Sequence, residues 1–116
     1  MRMLIGALVA VALAGCMSPG MNQTRTTGPT KSFTSSKADN AVAQCVQFSW
    51  QDEAVFGVDA AAYLQLGYKG GSTVYTRGSE YFVDVRRDVN GTLVDYYATT
   101  SKPIGARRLA AVATCL

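Results

Sequence analysis

The sequence of 116 residues predicts an α+β domain in which two helices cover one face of a three- to four-stranded antiparallel sheet, a two-layer architecture. Apolar residues recur at helical spacing before residue 50 and again after residue 103. Between these segments, apolar and polar residues alternate, as they do in half-buried strands. An Asn90-Gly91 pair separates two such stretches, which is the strongest short signal for a β-hairpin.

The first helix is predicted over residues 37–50. Ser36 and Asp39 stand at the spacing of a capping box, with Asp in place of Glu. One helical face then carries Ala38, Ala41, Val42, Cys45, Phe48 and Ser49. We expect Trp50, at the end of this helix, to close the core rather than to bind a ligand.

The segment between this helix and the hairpin is the most ambiguous. Residues 58–68 alternate in a way that favours a strand, and a helix starting at Asp59 is the alternative. Gly70-Gly71 indicates a turn, and residues 72–77 a second short strand.

The hairpin predicts which residues lie on each face of the sheet. A two-residue turn at Asn90-Gly91 places Arg86 directly opposite Asp95 and Val89 opposite Thr92. The core face then carries Tyr81, Val83, Val85, Val94, Tyr96 and Ala98. The second face carries Tyr63, Asp84, Arg86, Asp95 and Tyr97. We expect this second face to be open and to be the candidate binding surface, because Tyr is enriched at recognition surfaces.

A closing helix is predicted from Pro103 onward, with Ser101 near its cap. Its inward face carries Ile104, Arg108, Ala111, Val112 and Cys115.

The first 16 residues are predicted to be a targeting segment. Arg2 precedes an apolar run, Leu4–Ala14, that is too short to span a bilayer as a helix and is typical of a secretory signal. Its ending, Leu13-Ala14-Gly15-Cys16, resembles the lipobox of bacterial lipoproteins. The alternative is an ordinary secretory signal in which Cys16 is incidental.

The lipobox resemblance implies that residues 1–15 are a signal peptide, cleaved before Cys16. It also implies a diacylglycerol on the Cys16 thiol and a third acyl chain, such as palmitate, on the new amino terminus. Met17 follows the cysteine, where Asp often signals retention in the inner membrane. The resemblance therefore implies the outer membrane, facing the periplasm, with the inner membrane and the cell surface as alternatives.

The organisation of the mature chain follows from composition and from the cysteines. Residues 16–35, rich in Ser, Thr, Gly and Pro, are predicted to be a flexible tether reaching about 25 Å. Phe33 near its end is expected to pack on the folded domain, residues 36–116.

A disulfide is predicted between Cys45 and Cys115, the two cysteines that remain once Cys16 is assigned to lipid. An even pair in an exported domain favours a bond because the periplasm is oxidising. Two buried free thiols are the alternative.

The chain is also loosely similar to small uncharacterised envelope lipoproteins over most of residues 38–116. The shared features are a helical Cys followed by Trp (Cys45 and Trp50), a Val-Asp-Val strand (Val83-Asp84-Val85) and a C-terminal Cys (Cys115). This likeness implies no established activity.

Composition excludes several kinds of chemistry. The absence of His excludes Ser–His–Asp triads, Cys–His pairs and His-based metal sites. The net charge of +3 is too small to indicate nucleic-acid binding.

Asp84 and Asp95 are one conceivable acid–base pair, but a structural ladder with Arg86 is favoured. Arg86-Arg87 and Arg107-Arg108 are expected to be surface charge, with contact to anionic lipid as the alternative. We predict no catalytic residue, metal or cofactor.

These observations together predict a non-enzymatic, membrane-anchored envelope lipoprotein that binds a protein or another envelope component. An inhibitor, immunity or exclusion-type lipoprotein is one alternative. A periplasmic enzyme that uses Asp84 or Asp95 is the other.

Overall fold

The computed structural model describes residues 19–116. The predicted signal peptide and lipobox, residues 1–16, lie outside the described residues. In chain order the helices and strands are α1 (Pro19–Thr27), β1 (Lys31–Ser35), α2 (Asp39–Gln51), β2 (Ala62–Leu66), β3 (Ser72–Thr76), β4 (Tyr81–Asp88), β5 (Gly91–Ala98) and α3 (Ile104–Thr114). Short 3₁₀ segments cover Asp52–Phe56, Tyr68–Gly70 and Arg77–Ser79.

The strands form one antiparallel sheet in the order β1-β5-β4-β3-β2. The α+β class is confirmed, but the sheet has five strands rather than three or four. Part of the difference comes from β1, which pairs with β5 and was expected to be tether. Within the ambiguous segment 58–68, Ala62–Leu66 forms a strand, β2, and no helix starts at Asp59.

The prediction of a flexible tether is wrong for Pro19–Thr27 and Lys31–Ser35, which form α1 and β1. Helix α1 lies on the sheet face opposite α2 and α3, so that part of the domain has three layers. Phe33 of β1 pairs with Val94 and packs against the core, as expected. Composition misled here because Thr, which is common in linkers, also favours strands, and because α1 docks through only a few side chains.

Helix α2 is confirmed, although its buried face is rotated from the prediction. Val42, Ala43, Val46 and Trp50 are buried, whereas Phe48 is 57% exposed. The predicted capping box does not form, because Ala38 is the N-cap residue and no side chain caps the helix. Trp50 is fully buried, and its indole N–H donates to the Arg108 carbonyl oxygen at 3.1 Å, so it closes the core as predicted.

The predicted disulfide is present and joins the two helices on the core side of the sheet. Cys45 of α2 bonds to Cys115 at the end of α3, with their Cα atoms 5.7 Å apart. Helix α3 begins at Ile104, with Pro103 as its N-cap, and it buries Arg108 and Val112 on the predicted inward face.

The hairpin register differs from the prediction by two residues. Asp88 pairs with Gly91, so Val89 and Asn90 form the turn and Arg86 faces Leu93 rather than Asp95. Gly91 has φ +136°, and a Cβ there would lie 2.7 Å from the Ser35 carbonyl oxygen. Because glycine has no Cβ, the end of β1 can approach the hairpin this closely. A shift of two residues leaves every side chain on its predicted face, so the core face is confirmed.

Candidate functional site

The face predicted to be open lies largely beneath α1. Asp84 is 1% exposed, Tyr97 is 4% exposed and Asp95 is 8% exposed. The prediction of an open surface at these three residues is therefore wrong. Asp84 is paired with Arg25 of α1, and Asp95 is held by Arg86 of β4 and Ser32 of β1.

One apolar contact anchors the beginning of α1. Met21 is 2% exposed and packs with Phe82 and Tyr97, whose stacked rings have centroids 4.5 Å apart. The half-buried ring of Tyr75 borders this cluster. The sequence signal for it was a single methionine in an otherwise polar stretch, which produces no helical periodicity.

An ion pair anchors the end of α1. The Arg25 Nε and Nη2 atoms each lie 2.7 Å from a different oxygen of the Asp84 carboxylate. Thr73 Oγ1 donates to the same carboxylate at 2.7 Å and accepts from Arg25 Nη2 at 3.0 Å. The guanidinium carbon also lies 3.8 Å from the Tyr68 ring centroid. The two charged side chains are 5% and 1% exposed, so this two-pronged pair is buried.

A second, more exposed pair lies at the β1 side of the same face. Arg86 Nη1 is 3.2 Å from Asp95 Oδ2 across a diagonal of the hairpin, and Ser32 Oγ donates to Asp95 Oδ1 at 2.7 Å. Asp84 and Asp95 stand opposite each other on β4 and β5. Each carboxylate is already held by an arginine and a hydroxyl, which supports the structural interpretation of this pair.

The Tyr97 hydroxyl is poorly suited to acid–base chemistry near neutral pH. Burial, together with the nearby charges of Asp84 and Asp95, raises the pKa of Tyr97 to about 12. The group therefore stays protonated throughout the physiological range.

Tyr63 is the one predicted site residue in β2, and it is 41% exposed. Its ring lies 5.3 Å from that of Tyr75 on the neighbouring strand. Leu66, at the end of β2, is 75% exposed. Strand β2 is an edge of the sheet and has no charged residue.

The outer side of β2, which we call the β2 edge, carries unpaired backbone groups. Gly67 N–H donates to the Gly71 carbonyl, so by alternation the N–H and C=O groups of Ala62, Leu64 and Leu66 point away from β3. Two glutamine amides of α2 cap the Ala62 carbonyl, at 3.3 and 3.0 Å. Within residues 19–116, the outward groups of Leu64 and Leu66 have no hydrogen-bond partner.

Charged edges and covering segments normally prevent unwanted strand pairing. The opposite edge, β1, carries Lys31. The β2 edge has no charged residue to prevent such pairing. The outward backbone groups of Leu64 and Leu66 provide two N–H donors and two C=O acceptors, and the exposed side chains of Tyr63 and Leu66 lie on the same strand. Among the described residues it is the strongest candidate for an interaction site.

The predicted basic cluster on α3 is divided between two environments. Arg107 pairs with Glu53 at 3.1 Å and lies over the Phe56 ring, 4.1 Å from its centroid. Arg108 is only 3% exposed, so the expectation of surface charge is wrong for this residue.

Within residues 19–116, no group of three or more Cys, Asp or Glu residues is arranged to hold a metal ion. In the same range, no helix has the length and apolar character needed to cross a bilayer.

Comparison with known proteins gives no relative from which a function could be carried over. The chain has no significant match among protein-family models, curated proteins or solved structures. The resemblances to the lipobox and to small envelope lipoproteins therefore stay predictions from the sequence.

Proposed function

We propose that this chain is a lipid-anchored protein of the bacterial envelope that binds a partner protein by adding one of the partner's strands to the β2 edge. The anchor is proposed from the sequence of residues 1–16. The binding mode is supported by one observation, the unpaired outward backbone groups of Leu64 and Leu66.

The position of α1 makes the proposed anchor a short one. Only Met17 and Ser18 separate Cys16 from the start of α1. Three residue steps reach about 10 Å at most, which replaces the 25 Å tether expected from composition. Two or more acyl chains would hold such a protein on the membrane stably.

The contacts of α1 also indicate which end of the domain the anchor would approach. Met21 packs on Phe82 and Arg25 pairs with Asp84, so α1 runs in the same direction as β4. Its first residue therefore lies toward the end of the sheet where β4 begins and β5 ends. The anchored protein would hold this end near the membrane.

The chemistry of the β2 edge specifies the partner segment. Strand addition supplies affinity through main-chain hydrogen bonds and specificity through alternate side chains. Strand β2 reads Ala-Tyr-Leu-Gln-Leu and offers no charge to pair with. The expected partner segment is therefore extended and uncharged, with an apolar side chain that covers Leu66.

In-cell photo-crosslinking tests this proposal. A photo-reactive amino acid replaces Leu66 in the full-length protein, and a matched control carries it at Val89, an apolar hairpin-tip residue that is 92% exposed. We expect a discrete adduct to a second envelope protein from position 66 and none from position 89. The same adduct from both positions, no adduct from position 66, or an adduct only to a second copy of this chain would contradict the proposal.

A charge at the β2 edge provides an independent check. Leu66→Lys should abolish the adduct formed from a probe at Gln65, because a charged lysine on an edge strand opposes strand pairing. Val89→Lys should leave that adduct unchanged. An unchanged adduct in Leu66→Lys would show that the partner binds elsewhere.

A further inference from the structure

A small cleft lies at the end of the sheet where β4 begins, between the β3–β4 turn and the start of α3. Its volume is about 160 Å³. Charged side chains dominate its lining, which includes Asp59, Arg77, Glu80, Tyr81, Lys102 and Arg108.

Two exposed ion pairs form the rim of this cleft. Arg77 Nε lies 2.8 Å from Asp59 Oδ2, and Lys102 Nζ lies 3.0 Å from Glu80 Oε2. Each pair is internally balanced, so the rim by itself carries no excess charge.

Arg108 adds a third positive charge to the lining, beyond the two rim pairs. Its side chain is almost fully buried, and no carboxylate of the described chain lies within ion-pair distance of it. Two of its N–H groups donate to the backbone carbonyls of Trp50, at 3.3 Å, and Asp59, at 3.0 Å. Its Nε atom is buried and has no hydrogen-bond partner in residues 19–116. A guanidinium has five N–H donors, and here two are engaged.

A buried charge without a counter-charge is costly, and a guanidinium fork matches the geometry of a carboxylate. Three cationic and two anionic side chains line the cleft, which leaves one surplus positive charge. This surplus matches a single carboxylate better than a doubly charged phosphate. A volume of about 160 Å³ holds several water molecules, which is enough for a carboxylate with a short substituent.

We infer that the cleft binds the carboxylate group of a small molecule or of a peptide's C-terminus, with Arg108 as the residue that receives the charge. Arg77 and Lys102 at the rim neutralise Asp59 and Glu80, which would otherwise repel a carboxylate. This inference rests on the described residues alone and does not depend on the lipid anchor or on the β2 edge.

Nuclear magnetic resonance of the full-length protein in detergent micelles tests the inference. With ¹⁵N-labelled arginine, acetate and N-acetylglycine are titrated at constant ionic strength against sodium chloride. We expect saturable shifts of the Arg108 Nε–H signal with both carboxylates and none with chloride or with neutral N-acetylglycinamide. Shifts that do not saturate, or that chloride reproduces, would overturn the inference.

The source of the carboxylate is distinguished by two further probes. A tetrapeptide with a free C-terminus that binds at least fivefold more tightly than acetate indicates a peptide end. Equal affinity for the two indicates a small carboxylate, and the amidated tetrapeptide should not bind in either case. Binding of the amidated peptide at the same cleft would contradict the role of the carboxylate.

Replacing Arg108 could unfold the protein because this side chain is buried. Substitutions of the exposed rim residues test the site without that problem. Arg77→Met and Lys102→Met change exposed residues and should each weaken acetate binding at least threefold. Arg87→Met is the matched control, since Arg87 is an exposed arginine six residues along β4, about 20 Å from the cleft end of that strand. Affinity that is unchanged in both rim variants would refute the proposed site, whether or not an Arg108 variant folds.

Discussion

Breaking the buried ion pair between Arg25 and Asp84 should cost the domain much of its stability, and Arg25→Met tests this directly. The substitution keeps the length of the side chain but removes its charge. It leaves the Asp84 carboxylate, which is 1% exposed, without its cationic partner beneath α1. Removing one partner of a buried pair typically costs about 3–5 kcal/mol. This is a large share of the ~5–15 kcal/mol by which a small domain is stable.

The structure also indicates how the protein would relieve this cost. Release of α1 from the sheet would return Asp84 to water at the expense of the Met21 contacts. We therefore expect two changes in Arg25→Met. The free energy of unfolding of the domain decreases, and α1 separates from the sheet more easily. A second substitution, Asp84→Leu in the Arg25→Met background, removes the carboxylate that has lost its cationic partner. It should recover most of the lost stability, since an apolar replacement of a buried pair is often tolerated.

Urea denaturation followed by the fluorescence of Trp50 measures these changes, because this buried tryptophan reports on the core. Arg77→Met is the matched control, since it breaks an ion pair whose side chains are 66% and 57% exposed, and no measurable change is expected. A loss below about 1 kcal/mol in Arg25→Met, or a double variant no more stable than the single one, would refute the argument that the buried pair holds α1 in place.

Three further predictions concern the cysteines and tyrosines. Replacing Cys45 and Cys115 together by Ala should lower the free energy of unfolding by about 4 kcal/mol, because the bond spans 70 residues, and reducing agent should leave the variant's urea midpoint unchanged. Burial raises the pKa values of Tyr96 and Tyr97 to about 12. The unfolded chain therefore loses these protons more readily, so stability should fall as pH rises above about 10, and ultraviolet titration should show two late-ionising tyrosines. Intact-mass analysis should find a chain that starts at an acylated Cys16 and has no alkylatable thiol before reduction. An unmodified full-length mass would contradict the anchor.

The elements that the sequence predicted correctly are those whose signals are local and repeated. Val83, Val85 and Val94 fall on the core face under either hairpin register, because strand side chains alternate with a period of two. The pairing of Cys45 with Cys115 followed from counting the cysteines. The inward face of α3 followed from helical spacing.

The features that the sequence did not reveal depend on contacts between distant segments. Burial of Asp84 requires Arg25, which lies 59 residues earlier in the chain. Gly91 carries the usual signal of a turn residue, but its role depends on how closely the chain at Ser35 approaches it. Neither contact leaves a periodic pattern. For that reason a segment that forms α1 and β1 looked like a linker, and a covered face looked open.

Residue-resolved hydrogen exchange is the most direct test of the central claim, that the β2 edge is free to accept a strand. In the isolated protein, the amides of Leu64 and Leu66 should exchange at least 100-fold faster than those of Tyr63 and Gln65, which are bonded to β3. Adding the partner protein identified by crosslinking should slow the exchange of the Leu64 and Leu66 amides selectively. Equal protection of all four amides in the isolated protein, or no added protection in the complex, would contradict the account.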